Sequence, residues 1–174
     1  MRGSSRLHAV RLFAVVILAA SLPGCGFTPL YGVPGVSAGL SRIDVVAPDG
    51  RVGFLIRENL DDALGHDKAA QPAWRLQMTV VQTRDARGLQ VNDVAERYEL
   101  GLTVRYTLSS IAGGRVVHSG SVSTAVSYDS ADSPYAGIAA RQDSQQRAAS
   151  DAARRIQLDL AAWMAHGSKP DSQS

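Results

Sequence analysis

The chain contains a single cysteine, Cys25, within the stretch LPGCGFTPLYG that spans residues 22–32. A lone thiol beside glycines could be a buried core residue, a reactive nucleophile or the attachment point of a covalent group. The third possibility is favoured because the cysteine directly follows an aliphatic run near the N-terminus. The remaining alternative is a secreted protein with a free thiol, but an unpaired thiol is a liability in an oxidising compartment.

The residues before Cys25 have the features of a secretory signal. Residues 1–11 carry three arginines and no acidic residue, and the eleven residues Leu12–Leu22 that follow are uncharged. A lasting membrane span needs about 20 apolar residues, so this segment is too short to be one. A basic start, a short apolar centre and small residues after it are typical of a cleaved signal peptide. We therefore assign residues 1–24 to a signal peptide.

The sequence LPGC resembles the end of a bacterial lipoprotein signal, in which a leucine and two small residues precede the cysteine, although here Pro23 replaces one small residue. We expect cleavage between Gly24 and Cys25, a diacylglycerol thioether on the thiol and an acyl chain such as palmitate on the new amine. Two or more acyl chains bind a membrane firmly. Residue 26 is glycine and not the aspartate that usually signals inner-membrane retention, so we expect an outer-membrane anchor on the periplasmic face.

Removal of the signal changes the charge balance of the chain. The full chain has 18 basic and 16 acidic residues, and the signal holds three of the basic ones and no acidic one. The mature part therefore has 15 basic and 16 acidic residues, a net charge of −1. Nucleic-acid binding usually needs a basic face, so no nucleic-acid partner is expected.

The basic residues are almost all arginines, 16 of them against two lysines. An arginine guanidinium can bind a phosphate in a bidentate way that lysine cannot match. Three arginines, Arg75, Arg97 and Arg105, fall on the predicted polar face of the strands described below, where they could contact a phosphorylated or acidic partner. The alternative is a GC-rich genome that prefers arginine codons, and the sequence leaves both interpretations open.

The sequence contains no recognisable catalytic or metal-binding motif. Its four histidines are scattered, and it has no GxSxG motif, phosphate-binding loop or dinucleotide fingerprint. The GHD stretch at 65–67 could hold a His–Asp pair, but a polar connection after a helix is the favoured interpretation. We therefore expect no enzyme, no catalytic or metal-binding residues and no cofactor beyond the acyl chains on Cys25.

The mature chain begins with a tether, residues 25–41, that is rich in glycine and proline. A short strand follows at RIDVVAP, and the i, i+3/i+4 spacing of apolar residues in GRVGFLIRENLDDALG predicts a helix capped by Gly65. Strict alternation in WRLQMTVVQT and RYELGLTVRYTLS predicts two strands, each with one apolar and one polar face.

The turn AGGR at 112–115 predicts a hairpin into a fourth strand. One face of that strand is expected to carry Val116, His118, Val122, Val126 and Tyr128. From Ala136 to about His166 the chain is rich in alanine and predicts a long amphipathic helix. Its apolar stripe consists of Ile138, Ala149, Ala152, Ile156, Leu160 and Trp163.

These elements predict an α+β fold in which two helices pack on one face of a four-stranded mixed sheet, in the order β-α-β-β-β-α. The folded domain is expected to span residues 42–166, and a disordered tail is expected at 167–174. The second face of the sheet stays polar and must meet water or a partner.

Several segments, in this order, resemble the LptE family of lipopolysaccharide-assembly lipoproteins in its alphaproteobacterial form. CGFTPLYG resembles the mature start of the family, RVGFLIRENLDDAL its first helix and ERYELGLTVRYTL its central strand. SYDSADSPYA followed by AASDAARRIQLDLAAW resembles its last loop and helix. The resemblance covers nearly the whole mature chain, and the family core of two helices on a four-stranded sheet agrees with the order predicted above.

The resemblance implies a function without catalysis. Members of the family plug the LptD β-barrel in the outer membrane one to one, assist its assembly and help to insert lipopolysaccharide into the outer leaflet. It implies LptD, lipopolysaccharide and the outer membrane as partners. Cys25 carries over as the acylated residue. The candidate contacts with lipopolysaccharide or the barrel are Arg75, Arg97 and Arg105, and they are chosen only because the alternation of the strands places them on the predicted polar face. The alternatives are a free periplasmic binding module on the same anchor and a membrane-tethered hydrolase, which would need convergent acid and base groups.

Overall fold

A computed structural model describes residues 35–89, 95–129 and 133–167. The predicted signal peptide, Cys25 and most of the predicted tether lie outside the described residues, as does the tail from residue 168. The described elements are α1 (Val36–Leu40), β1 (Ile43–Val46), α2 (Arg51–Leu64), β2 (Trp74–Leu89), β3 (Ala95–Ser110), β4 (Val116–Asp129) and α3 (Pro134–Gly167). No helix in this part of the chain is long and apolar enough to cross a membrane.

The four strands form one mixed sheet in the order β1-β2-β3-β4. β1 pairs with β2 in parallel, whereas β2–β3 and β3–β4 are antiparallel. A parallel pair needs a crossover connection, and α2 provides it between β1 and β2. The predicted α+β class and the mixed sheet are confirmed, with one additional short helix.

The alternation in β3 places its apolar residues under the helices. Leu100, Leu102, Val104, Tyr106 and Leu108 are buried in the core. The residues between them lie on the opposite side of the sheet, which no described helix covers. The period of two therefore predicted the orientation of this strand correctly.

The start of β4 differs from the expected pattern. Val116 is 55% exposed, and the neighbouring Val117 packs against the core instead. The β3–β4 register shifts between Leu108 and Ser109, which is a β-bulge. A bulge adds one residue to one strand, so the alternation of inward and outward side chains is shifted by one residue beyond it. The prediction that Val116 lies on the same face as His118 was therefore wrong.

The two longer helices cover the apolar face of the sheet. Leu55, Ile56, Leu60 and Leu64 of α2 are buried, and Gly65 ends the helix in the left-handed conformation at φ 63°. Most of the predicted stripe of α3 is buried or partly buried. Ile138 is the exception at 48% exposed, because the inward positions of the first turns are taken by Ala140 and Ser144, which are partly and fully buried.

The packed core begins inside the stretch assigned to the tether. Val36 and Leu40 of α1 are 0% and 2% exposed. Gly39 approaches α3 so closely that a Cβ there would lie 2.8 Å from the sulfur of Met164. A helix of five residues offers only one i, i+4 apolar pair, which is too little for periodicity to reveal.

Candidate functional site

The sheet face opposite the helices is the candidate functional site, and we call it the polar face. Its centre is formed by small hydroxyl side chains that neighbour one another across three strands, namely Thr79 on β2, Thr103 and Thr107 on β3, and Ser119, Ser121 and Ser123 on β4. The hydroxyls of Thr103 and Ser123 lie 3.1 Å apart. This surface offers hydrogen-bond donors and acceptors around the charged side chain of Arg105.

Charged pairs mark the two ends of the polar face. At one end Arg75 Nε donates to Asp44 Oδ2 at 3.2 Å. At the other end Arg97 Nε donates to Asp129 Oδ1 at 2.8 Å. These are exposed ion pairs between neighbouring strands, and each is expected to contribute little to stability.

A further pair lies beside the second of these ends. Arg87 donates to Glu99 Oε1 at 2.7 Å. That hydrogen bond, together with the charge of Glu99, raises the pKa of Arg87. Both Arg87 and Arg97 are therefore engaged by a carboxylate of the same sheet.

Arg105 lies between the charged ends and differs from the other two candidate arginines. Its cross-strand neighbours are Thr79 and Ser121. It has no ion pair or hydrogen bond with any residue that the structure describes. It lines a shallow concavity of about 470 Å³ together with Gln77 and Thr107. Its guanidinium is free to bind an anionic group.

The three candidate arginines do not form one cluster. Arg97 and Arg105 are eight residues apart on β3, which is about 26 Å along a strand. Arg75 pairs in register with Ser109, four residues from Arg105 and therefore about 13 Å away along the sheet. The assignment of these arginines to lipopolysaccharide or barrel contact stays a prediction, and it now concerns three separate points on one face.

A polar network on the helix side of the sheet was missed by the sequence analysis. Asp159 Oδ2 of α3 accepts a hydrogen bond from Tyr106 Oη at 2.6 Å and lies 2.5 Å from His118 Nε2. His118 also stacks on Trp163 at 5.6 Å between ring centroids. The network joins β3, β4 and α3, and no sequence motif links residues so far apart in the chain.

The electrostatics of this network follow from partial burial and hydrogen bonding. Burial opposes ionisation of Asp159, but the hydrogen bonds from His118 and Tyr106 outweigh it and lower the pKa of the carboxyl. Burial, and next the hydrogen bond to Asp159, raise the pKa of Tyr106. The carboxylate is thus held ionised as an acceptor for two donors.

The described residues offer no metal site. No three side chains of His, Cys, Asp or Glu converge within the described ranges. In the GHD stretch, Asp67 Oδ1 accepts the backbone N–H of Ala69 at 2.9 Å and so closes a turn. The expected polar connection after α2 agrees with this geometry.

Comparison with known proteins identifies the family. A family model described as LptE, lipopolysaccharide-assembly, matches residues 40–160, which is more than half of the chain. The chain belongs to the LptE family. No curated protein matches it significantly.

Solved structures agree with the LptE family assignment. A lipoprotein from Caulobacter crescentus CB15 is 51% identical over 78% of this chain and 98% of its own, with a TM-score of 0.67. Lipoprotein B from Nitrosomonas europaea is 18% identical over 72% and 85%, with a TM-score of 0.55. Rare lipoprotein B from Shewanella oneidensis is 17% identical over 73% and 98%, with a TM-score of 0.52. At such low identity the last two show the LptE fold alone.

Proposed function

We propose that the chain is an outer-membrane lipoprotein, held by acyl chains on Cys25, that occupies the lumen of the LptD β-barrel one to one. In that position it assists the assembly of the barrel and the insertion of lipopolysaccharide into the outer leaflet. The observation that carries the proposal, beside the family, is the uncovered polar face of the sheet. Such a face can meet either water or a partner, and it is the broad hydrogen-bonding surface that a polar lumen would contact.

The surface chemistry fits the lumen of a large barrel. The interior of such barrels is polar, in contrast to the apolar band that faces the lipid. The hydroxyls of Thr103, Ser121 and Ser123 can exchange their water partners for lumen side chains. Arg105, which lies beside Ser121 and has no partner within the described residues, would need an anionic group there. At the ends of the polar face, each charged side chain of the two ion pairs already has a partner of opposite charge.

The anchor would set the position of the domain relative to the membrane. Acylation at Cys25 would hold the N-terminus at the inner leaflet of the outer membrane. The folded core begins at Val36, so about ten residues connect the anchor to the domain, and an extended chain covers at most about 3.3–3.6 Å per residue. The start of the domain, at Val36, would therefore lie within roughly 35 Å of the membrane surface.

Contact with lipopolysaccharide is proposed at the polar face through phosphate groups. Arg105 is the strongest of the three candidates because it has no partner within the described residues. Arg75 and Arg97 would first have to release Asp44 and Asp129. We propose that the protein acts through binding and occupancy alone, without a catalytic step and without a cofactor other than its acyl chains.

The test is recovery of the protein with its partners from the outer membrane. The full chain with a C-terminal tag is extracted in a mild detergent, and the proteins and lipids that remain bound are identified. We expect one β-barrel protein in equal amount, together with lipopolysaccharide. Recovery of the chain alone, or with a soluble periplasmic protein, would contradict the barrel role.

A further inference from the structure

β4 leaves one long edge of the sheet open. It is the terminal strand of the sheet and has β3 on one side only. Within the described residues, no backbone hydrogen bond outside the β3–β4 ladder reaches the ten residues from Ser119 to Tyr128. An open edge presents a row of unpaired N–H and C=O groups that can pair with another extended chain.

The sequence of this edge does nothing to prevent such pairing. Between His118 and Asp129 the strand contains no charged residue and no proline. Natural proteins usually protect an open edge with charges, prolines, bulges or a short strand. The bulge of β4 lies at its start, opposite Leu108 and Ser109, and leaves the rest of the strand regular.

The opposite edge of the sheet gives the contrast. β1 covers only the first four residues of β2, up to Gln77. The second half of the uncovered part of β2 carries Arg84, Asp85 and Arg87, whereas its first half, residues 78–83, carries no charge. Charges of this kind are the usual protection of an edge. The edge of β2 is therefore protected by charges over part of its length, whereas the edge of β4 has no such protection between His118 and Asp129.

A second copy of the chain is a poor fit to the open edge. α3 lies over β4, where Thr124 Oγ1 donates to the carbonyl of Ala148 at 3.4 Å and His118 meets Asp159. Two β4 strands paired about a two-fold axis would lie about 4.8 Å apart. Packed helices need about 8–10 Å between their axes, so the two copies of α3 would crowd each other wherever α3 lies directly above β4.

The segment that precedes the domain is a poor fit as well. Residues 26–34 contain Pro29 and Pro34. Proline has no N–H to donate to a ladder and is restricted within sheets. An extended segment of another protein, with no helix of its own above the new strand, fits the edge without either obstacle.

We propose that the open edge of β4 pairs with an extended, uncharged segment of the barrel partner, which adds a fifth strand to the sheet. This inference rests on the proposed function. The main chain of β4 would supply the hydrogen bonds, as in other cases of strand addition. Small or hydroxyl side chains would suit the positions beside Ser121 and Ser123. Just beyond the paired segment, an acidic side chain would suit Arg115, which precedes β4, is exposed and has no ion pair with a described residue.

Photocrosslinking in the full complex tests the position of the contact. A benzophenone side chain replaces Ser121 or Ser123 on the edge strand, and Thr103 is the matched control. Thr103 lies on the same face, beside Ser123, but on a strand that is paired on both sides. We expect several-fold more crosslinking to the barrel from β4 than from Thr103. Equal yields would overturn the proposal, because they would show docking of the whole polar face.

Amide hydrogen exchange tests the pairing itself without a substitution. Exchange is compared between the free chain and the purified complex for β4 and for residues 78–88 of β2. We expect exchange to slow several-fold in β4 alone, since half of its amides gain a partner. Equal slowing at both edges, or none in β4, would overturn the strand addition even if the barrel co-purifies. If no barrel co-purifies, the proposed function fails together with this inference.

Discussion

His118 Nε2 lies 2.5 Å from Asp159 Oδ2 and so connects β4 to the long helix α3. The same carboxylate oxygen accepts the hydroxyl of Tyr106 at 2.6 Å, which adds β3 to the connection. Tyr106 is buried in the core, whereas Asp159 lies at its margin with a side chain that is 44% exposed. The network therefore fixes where α3 sits on the sheet more than it adds to the total stability.

The first prediction concerns Asp159 and pH. Its folded pKa is lowered by His118 and Tyr106, so its contribution is present above the unfolded pKa of about 3.9 and is lost as pH falls through the folded value. We expect Asp159→Asn to lower the free energy of unfolding near neutral pH by up to about 1 kcal/mol. Urea unfolding from pH 6 to pH 3 should show the difference from wild type shrinking below about pH 4.

Asp143→Asn is the matched control for that experiment. Asp143 lies on the same helix in an exposed i, i+4 pair with Arg147. Such a pair is expected to contribute only about 0.3–0.5 kcal/mol. If Asp159→Asn cost no more than Asp143→Asn at neutral pH, the network would have no role in holding α3.

The second prediction concerns Gly120, which lies opposite Tyr106 in the β3–β4 register. A Cβ at this position would overlap the ring and hydroxyl of Tyr106. We expect Gly120→Ala to destabilise the fold by about 1–3 kcal/mol, because overpacking displaces the tyrosine from Asp159. A Cβ at Gly113 would meet open space, so Gly113→Ala should change stability by less than about 0.5 kcal/mol. Similar thermal unfolding of the two variants would contradict the predicted overlap.

The third prediction concerns the start of the domain. Val36 is fully buried, so Val36→Ala should cost about 2 kcal/mol, whereas the exposed neighbour Ser37 should tolerate alanine. A chain that begins at Gly35 should unfold as the mature protein does, and one that begins at Arg42 should be clearly less stable. Chemical denaturation of the four proteins checks this. Equal stability of the two shortened chains would show that α1 belongs to the tether and does not stabilise the folded domain.

Sequence analysis succeeded where the structure is set by local patterns. The alternation in β3 predicted its buried side, and the glycine after Leu64 predicted the end of α2, where φ is 63° at Gly65. Both signals lie within a few neighbouring residues. The same holds for the turn before β4, since Gly114 adopts φ 63° between the two strands.

The features that escaped prediction depend on contacts between distant segments. The bulge opposite Leu108 exchanges the faces of β4, and nothing in the local sequence marks it. The partners of Arg75 and Arg97 follow from strand register, which joins them to Asp44 and Asp129. The polar face was foreseen, but the distinction between paired and unpaired arginines on it required the register.

The fourth prediction separates the candidate arginines. If Arg105 contacts a lipopolysaccharide phosphate, Arg105→Ala should weaken binding about tenfold to a hundredfold, since a charge-assisted hydrogen bond contributes about 1.5–3 kcal/mol. Stability should not change because Arg105 is exposed. Arg75→Ala should weaken binding less, because Arg75 is already paired with Asp44.

The control for that series is Arg154→Ala, an exposed arginine on the helix layer, away from the polar face. Direct titration of each purified variant with lipopolysaccharide gives the affinities. The triple variant of Arg75, Arg97 and Arg105 provides the decisive measurement. Unchanged affinity in that variant would remove the polar face as a lipopolysaccharide contact.

The fifth prediction concerns the anchor. Cys25→Ser removes the thiol that would carry the diacylglycerol, so labelled palmitate should no longer enter the protein and the chain should leave the membrane fraction. One acyl chain alone binds only marginally, so partial modification would give partial release. The thermal unfolding of the purified domain should stay unchanged, because the described core begins at Val36. Palmitate incorporation into the Cys25→Ser variant, or none into the wild type, would show that the protein is attached to the membrane in another way.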